Sequence, residues 1–230
     1  SSVRSVTINL KRAARTRLLN SGKKQMRLYS QYREESVIDS FFNKKTKGFC
    51  VDIGAADGTR YSNSRYLIES LDWSAVLVEP HPTFFDQLTE LYENIDDVTL
   101  LNLAIHTNTG KLPFYVYGRD EHAQVSTLCE SFKERVIKVH GNKYEDEPTI
   151  VNVEPLKNIL KDLPSVDFLS IDCEGVDMEV VKSNDWDLYR PSLVCVESSM
   201  PEEEVVKFMS SVDYKYYNKT LGNIFFTKVK

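Results

Sequence analysis

The feature that most constrains this chain is an alternation: short apolar runs with acids or small residues at their ends, separated by stretches with helical spacing. The apolar runs are GFCVDIG at 48–54, AVLVE at 75–79, VTLLNL at 98–103, VDFLSI at 166–171 and SLVCVE at 192–197. Runs that are apolar at successive positions suit strands buried on both faces of a parallel sheet. Between them lie helical patterns. SNSRYLIESL at 62–71 has Ser62 or Asn63 as its cap. PTFFDQLTELYEN from Pro82 turns Phe85, Leu88 and Leu91 inward, and a further helix is expected at about 176–183. PEEEVVKFMSS begins with Pro201 and acids in its first turn, which favour a helix start. Ahead of the first strand, residues 33–43 place Val37, Ile38, Phe41 and Phe42 on one helical face. The end, YKYYNKTLGNIFFTK, reads as two strands turning near Leu221 and Gly222. The predicted fold is α/β: a Rossmann-like three-layer sandwich with a mostly parallel seven-stranded sheet and a C-terminal antiparallel hairpin.

A length of 230 residues suits one sizeable domain, here expected over 28–230, after a basic arm at 1–27. The arm holds eight of the 29 basic residues and no acid, leaving 21 basic against 34 acidic side chains in the rest. An acidic body disfavours a broad nucleic-acid footprint, while the arm suits contact with an anionic surface. Within the domain, KLPFYVY at 111–117 reads as an extra strand and TIVNVEPLKNIL as a strand and a helix. Residues 118–147 are polar, contain His122 and His140, and lack a core pattern; an irregular insertion serving as a substrate loop is expected there. No apolar run approaches the roughly 18 residues of a membrane span. Cys50, Cys129, Cys173 and Cys195 have no metal-binding spacing and read as small hydrophobes in a reducing compartment, so a cytoplasmic location is expected.

In a parallel α/β sheet, ligands bind beyond the carboxyl ends of the strands, so the strand ends carry the functional reading. After the first run comes Asp52-Ile53-Gly54-Ala55-Ala56-Asp57-Gly58. Small residues allow a sharp turn and a close backbone approach. Two acids in the loop disfavour a pyrophosphate and favour a ligand with a cationic end, such as S-adenosyl-L-methionine. Glu79, ending the second run, sits where Rossmann-like folds hold ribose hydroxyls. Ala104, after the third, leaves room for an adenine ring. Asp172 and Glu174 follow the fourth run, and Glu197 and Ser198 close the fifth.

These residues resemble the FkbM-type methyltransferases, S-adenosylmethionine-dependent enzymes that mostly methylate hydroxyls. The resemblance covers about residues 29–228. It rests on YSQYREESVIDSFF, GFCVDIGAADG with YSNSRYLIE, DWSAVLVEPHPTFFDQL, LNLAI, VSTL at 125–128, VNVEPLKNIL and, most specifically, DFLSIDCEGVDMEVVKSNDW. It implies that 28–230 is a methyltransferase domain in which Asp52, Gly54, Ala55 and Gly58 form the cofactor loop and Asp57 supports it. Gly54 would let the methionine moiety approach. It further implies that Glu79 holds the ribose, that Ala104 lies near the adenine, that Asp172 faces the reacting methyl, and that Ser30 and Gln31 close over the cofactor. Asn63 is counted with the cofactor set. His81 departs from the small polar residue usual in the family.

Methyl transfer to a hydroxyl needs positioning and a proton acceptor. Asp172 is the first candidate base, with Glu174, His140 and His122 behind it. A second route uses a divalent cation held by Asp172, Glu174 and Glu197, which lowers the acceptor's pKa. The expected acceptor is a hydroxyl on a sugar, a glycan or another small molecule. The alternatives are an RNA 2′-hydroxyl and a degenerate methyltransferase fold serving as a binding module. A nicotinamide-dependent oxidoreductase is disfavoured because GxGxxG is absent.

Overall fold

The structure, a computed structural model, describes residues 28–118, 123–198 and 201–229; the basic arm and His122 lie outside them. Seven strands form the main sheet: β1 (Phe49–Ile53), β2 (Ser74–Val78), β3 (Val98–Leu101), β7 (Phe168–Ile171), β8 (Leu193–Glu197), β9 (Tyr214–Lys219) and β10 (Asn223–Lys228). Their order is β3-β2-β1-β7-β8-β10-β9. The first five run parallel, and β10 pairs antiparallel with both β8 and β9. The order reverses at β1, which has β2 on one side and β7 on the other.

Two apolar layers flank this sheet, and alternation along the strands assigns side chains to them. Val51, Ile53, Leu169, Ile171, Val194, Val196 and Phe226 pack with α5 (Leu156–Leu160), α6 (Asp177–Lys182) and α7 (Glu202–Ser211). Cys50, Leu77, Phe168, Cys195 and Phe225 face the opposite way, onto α1 (Glu34–Phe42), α2 (Arg65–Leu71) and α3 (Pro82–Tyr92). This is the expected three-layer α/β sandwich. Among the described residues, no helix is long and apolar enough to cross a membrane.

Several local expectations shift. The α3 helix turns Phe84, Leu88 and Tyr92 fully inward, and Phe85 is only half-buried. His81 and Pro82 set the phase of this helix: the imidazole accepts the Phe84 N–H, which caps α3 at His81. The α2 helix starts at Arg65, later than expected, because Ser62 Oγ accepts the Arg65 N–H at 3.1 Å while Asn63 donates instead to Ser170 at 3.1 Å. A second, three-stranded sheet, ordered β4-β6-β5, joins β4 (Ala104–Ile105), β5 (Gly110–Phe114) and β6 (Thr149–Glu154).

The segment expected to be irregular contains a 3₁₀ turn at Ala123–Val125 and the helix α4 (Glu130–His140). Only Val136 of α4 is fully buried, and the apolar stripe of Phe132, Val136 and Ile137 is short and set among charged residues. It is held by Tyr117 and Tyr144, with Phe132 and Ile137 packed alongside. Phe132 lies on Gly175, where an added Cβ would be 2.8 Å from the ring.

Candidate active site

The strand ends of the main sheet open into a cavity of about 420 Å³, within the range of roughly 300–1,000 Å³ typical of small-molecule sites. Its wall includes Asp52, Glu79, Asp172, Glu174 and Glu197, brought together from four parallel strands and the loops that follow them.

The turn after β1 depends on Gly54. Its N–H donates to Val78 O at 2.9 Å, and at φ 86° a Cβ would lie 1.8 Å from the Asp172 carbonyl oxygen. Glycine is therefore needed because the β7 loop occupies the space a side chain would fill. This is a different reason from the ligand approach expected of it. Asp52 is buried and accepts the Ser64 hydroxyl at 2.6 Å. Burial raises its pKa, and hydrogen bonds from Ser64 and Ser170 offset part of that rise.

Glu79 is buried at the end of β2, with one oxygen accepting Ala56 N–H at 2.8 Å and the other His81 N–H at 2.7 Å. It thereby joins the β1 turn to the cap of α3. Each oxygen keeps further acceptor capacity. Burial pushes its pKa up to about 7 against the pull of the two N–H donors. Nearby, Ala104, Ile105, Phe84 and Phe114 give the cavity an apolar stretch.

Beyond β7 and β8, one carboxylate oxygen from each of Asp172, Glu174 and Glu197 lies within 4.8 Å of the other two. Burial and then the Glu197 charge raise the pKa values of both Asp172 and Glu174 well above the carboxylate range. The loop bearing them is clamped by Asp177, which accepts Cys173 N–H at 2.8 Å and Gly175 N–H at 3.2 Å. Asp177 belongs to the quoted DFLSIDCEGVDMEVV block but was not singled out. Its signal was an acid at the head of a predicted helix, a favoured position.

Of the sequence-predicted residues, Gln31, Asp52, Gly54, Ala55, Asn63, Glu79, Ala104, Asp172, Glu174 and Glu197 line the cavity. Ser30, Asp57, Gly58 and His140 do not. Ser30 bonds to the start of α1, accepting Glu34 N–H and donating to Glu35. Asp57 accepts Thr59 and Arg60 N–H groups and shapes the turn. Gly58 packs on α3, where a Cβ would sit 2.6 Å from Leu88. His140 ends α4 in an exposed position, so its candidacy as a base is corrected. Residues that sequence reasoning passed over, Tyr32, Tyr61 and Asn223, do line the cavity. Tyr32 and Tyr61 belong to the YSQYREESVIDSFF and YSNSRYLIE blocks without having been given a role, and Asn223 carried no pattern that marked it. All four cysteines are free thiols, and Cys50 and Cys195 are buried in the strands.

The methyltransferase FkbM domain family matches residues 52–216. No curated protein matches the chain. Among solved structures, the chain is similar to the methyltransferase FkbM from Methylobacillus flagellatus KT at 14% identity and a TM-score of 0.51, over 80% of this chain and 44% of that one. It is also similar to a precorrin-6y C5,15-methyltransferase from Geobacter metallireducens GS-15, at 12% identity and a TM-score of 0.48, over 84% and 87% of the two chains. A third, a SAM-dependent O-methyltransferase from Thermotoga maritima, is 13% identical with a TM-score of 0.46, over 89% and 68%. The chain thus spans less than half the length of the Methylobacillus protein, and the likeness between them is one of fold.

Proposed function

This chain belongs to the FkbM methyltransferase family, and on that premise we propose that it transfers a methyl group from S-adenosyl-L-methionine to a hydroxyl on a sugar, a glycan or another small molecule. The observation that carries this reading is the convergence of five carboxylates on one cavity at the carboxyl ends of the strands. S-adenosyl-L-methionine carries an ammonium and a sulfonium, and a cavity walled by carboxylates favours cations. Glu79, with acceptor capacity left on both oxygens, suits a ribose diol, and the apolar stretch at Ala104, Phe84 and Phe114 suits a planar ring.

When bound, the cofactor supplies a methyl carbon on a positively charged sulfur. The chain's residues do the rest. Asp52 and the Gly54 turn shape the wall beside Asp172. Asp177 holds the 172–175 loop in place. An acceptor oxygen would attack the methyl carbon with its own electron pair as the carbon–sulfur bond breaks and its pair returns to sulfur, and the acceptor's proton would pass to a carboxylate of the Asp172/Glu174 pair. Burial and the Glu197 charge raise the pKa values of that pair, which makes the ionised form of either carboxylate a stronger base.

The mutual proximity of Asp172, Glu174 and Glu197 favours a second reading, in which a divalent cation held by the three lowers the acceptor's pKa. Four free thiols support a cytoplasmic location, and the basic residues of 1–27 support contact of that arm with an anionic surface. Calorimetry with S-adenosyl-L-methionine and a labelled-methyl screen over glycans, small alcohols and capped RNA test the proposal. Binding with label entering a glycan or small alcohol is the expected result. Failure to bind the cofactor would point to a degenerate module, and label entering RNA alone to the 2′-hydroxyl alternative.

A further inference from the structure

The VSTL segment at 125–128 reaches the carboxylate loop through one side chain. Thr127 is fully buried, and its neighbours Ser126 and Leu128 line the cavity while Thr127 itself does not. Its backbone is fixed from the second sheet: Thr127 N–H donates to Tyr115 O at 3.0 Å, and Tyr115 N–H donates to Thr127 O at 2.8 Å. A hydroxyl has one proton to give. Thr127 Oγ1 gives it to the Glu174 carbonyl oxygen at 2.7 Å and accepts Cys129 N–H at 2.8 Å, where α4 begins.

Glu174 needs such a hold for two reasons. Its φ is 51° and that of Gly175 is 97°, so two successive residues are left-handed and the first of them is not a glycine. That conformation is disfavoured and persists where the surrounding structure fixes it. In addition, one carboxylate oxygen of Glu174 lies within 4.8 Å of one from Asp172 and one from Glu197, and like charges so close push the side chain away. Asp177 secures the N–H groups of Cys173 and Gly175, on either side of Glu174. Phe132 of α4 closes the space over Gly175. The Glu174 carbonyl itself is held by Thr127. Without the hydroxyl, the peptide after Glu174 is free to rotate, and the rotation carries the carboxylate out of the cluster.

We propose that Thr127 is a positioning residue: its buried hydroxyl keeps the Glu174 carboxylate beside Asp172 and Glu197, and it ties the wall formed by Ser126 and Leu128 to that cluster. Thr127 acts through Glu174 and touches no ligand. Its consequence for the cofactor rests on the reading of this cavity as a methyl-transfer site, and the test separates the two.

Calorimetry compares S-adenosyl-L-methionine, with its positively charged sulfur, and S-adenosylhomocysteine, whose sulfur is neutral. Thr127→Val removes the hydroxyl at nearly constant shape, and Thr127→Ser keeps it. Thr127→Val is expected to weaken S-adenosyl-L-methionine by about threefold or more, the scale of one hydrogen bond, with S-adenosylhomocysteine changed by less than about twofold. Thr127→Ser should restore the wild-type values. In a Glu174→Gln background, Thr127→Val should cost nothing further. Equal losses for both compounds, no loss for either, a serine no better than valine, or a further loss in the Glu174→Gln background each overturn the proposal. In the wild type, the Thr127 hydroxyl proton is expected as a slowly exchanging NMR resonance. This measurement needs no variant and decides if Thr127→Val does not fold: rapid exchange with water overturns the proposal. A wild type that binds neither compound overturns the methyl-transfer reading, and with it the effect on the cofactor, while the hydroxyl resonance still decides the hold on Glu174.

Discussion

Glu79 is buried, takes two backbone N–H donors and has its pKa raised to about 7. If it holds a ribose diol, Glu79→Ala should weaken S-adenosyl-L-methionine binding by about 1–3 kcal/mol, the scale of hydrogen bonds to a charged group. Affinity in the wild type should fall as pH drops through about 7, because protonation removes the carboxylate that accepts from the diol. Calorimetry from pH 6 to 8 checks this, and a flat profile removes Glu79 from the ribose role. Asp172 makes a different demand. Asp172→Asn keeps the shape and loses the proton acceptor or metal ligand, so turnover should fall by about two orders of magnitude or more with the fold intact. EDTA divides the two roles: an unaffected wild-type rate leaves Asp172 acting without a metal.

At the scale of elements, two loops meet where the sheet order reverses. The β1 turn is shaped around the β7 loop, since the Asp172 carbonyl occupies the space of a Gly54 side chain. Gly54→Val therefore combines a backbone clash with a left-handed φ, and it should abolish cofactor binding and lower Tm. Asp177→Ala frees the Cys173 and Gly175 N–H groups of the neighbouring loop. A loss of about 1–3 kcal/mol in stability is expected from unpairing buried groups, with a fall in kcat as the carboxylates lose their fixed arrangement. Thermal unfolding and initial rates measure both; an unchanged kcat would mean the loop needs no such clamp. The strands beneath these loops were legible because five consecutive-apolar runs have few other uses in a chain this size. The α4 helix was not, because its stripe of Phe132, Val136 and Ile137 is short and its packing on Tyr117, Tyr144 and Gly175 is long-range.

For the whole molecule, the carboxylates that share the cavity make the free protein's stability depend on pH. Burial raises the pKa values of Asp172, Glu174 and Glu79, so the folded state holds more protons than the unfolded chain above about pH 4.5. Stability from these groups is present at low pH and lost as pH rises through the folded values. Glu34 has the opposite shift and loses its contribution only as pH falls below its unfolded value, outside this window, while His81, its pKa lowered by burial, is a single opposing group within it, against three carboxyls. Tm of the free protein should therefore be higher at pH 6 than at pH 8, and the cationic cofactor should narrow the gap. The reverse order would show that the cluster is ionised without cost. Deleting residues 1–27 should leave cofactor affinity unchanged, since every cofactor motif lies beyond them. Loss of binding in a folded truncated chain would make the arm part of the site.

The sequence alone determined the layers of the fold and most of one wall of the site. Consecutive-apolar runs and helical spacing are local signals, and the places of Asp52, Glu79, Asp172 and Glu197 follow from where the apolar runs stop. Tertiary structure decided what those signals could not carry. Asn223 and Glu34 meet across 189 positions, Tyr32 rests on Gly222, and Gly58 and His140 turn away from the cavity. Which residues face a ligand depends on how separate loops converge in space, and no local spacing encodes that convergence.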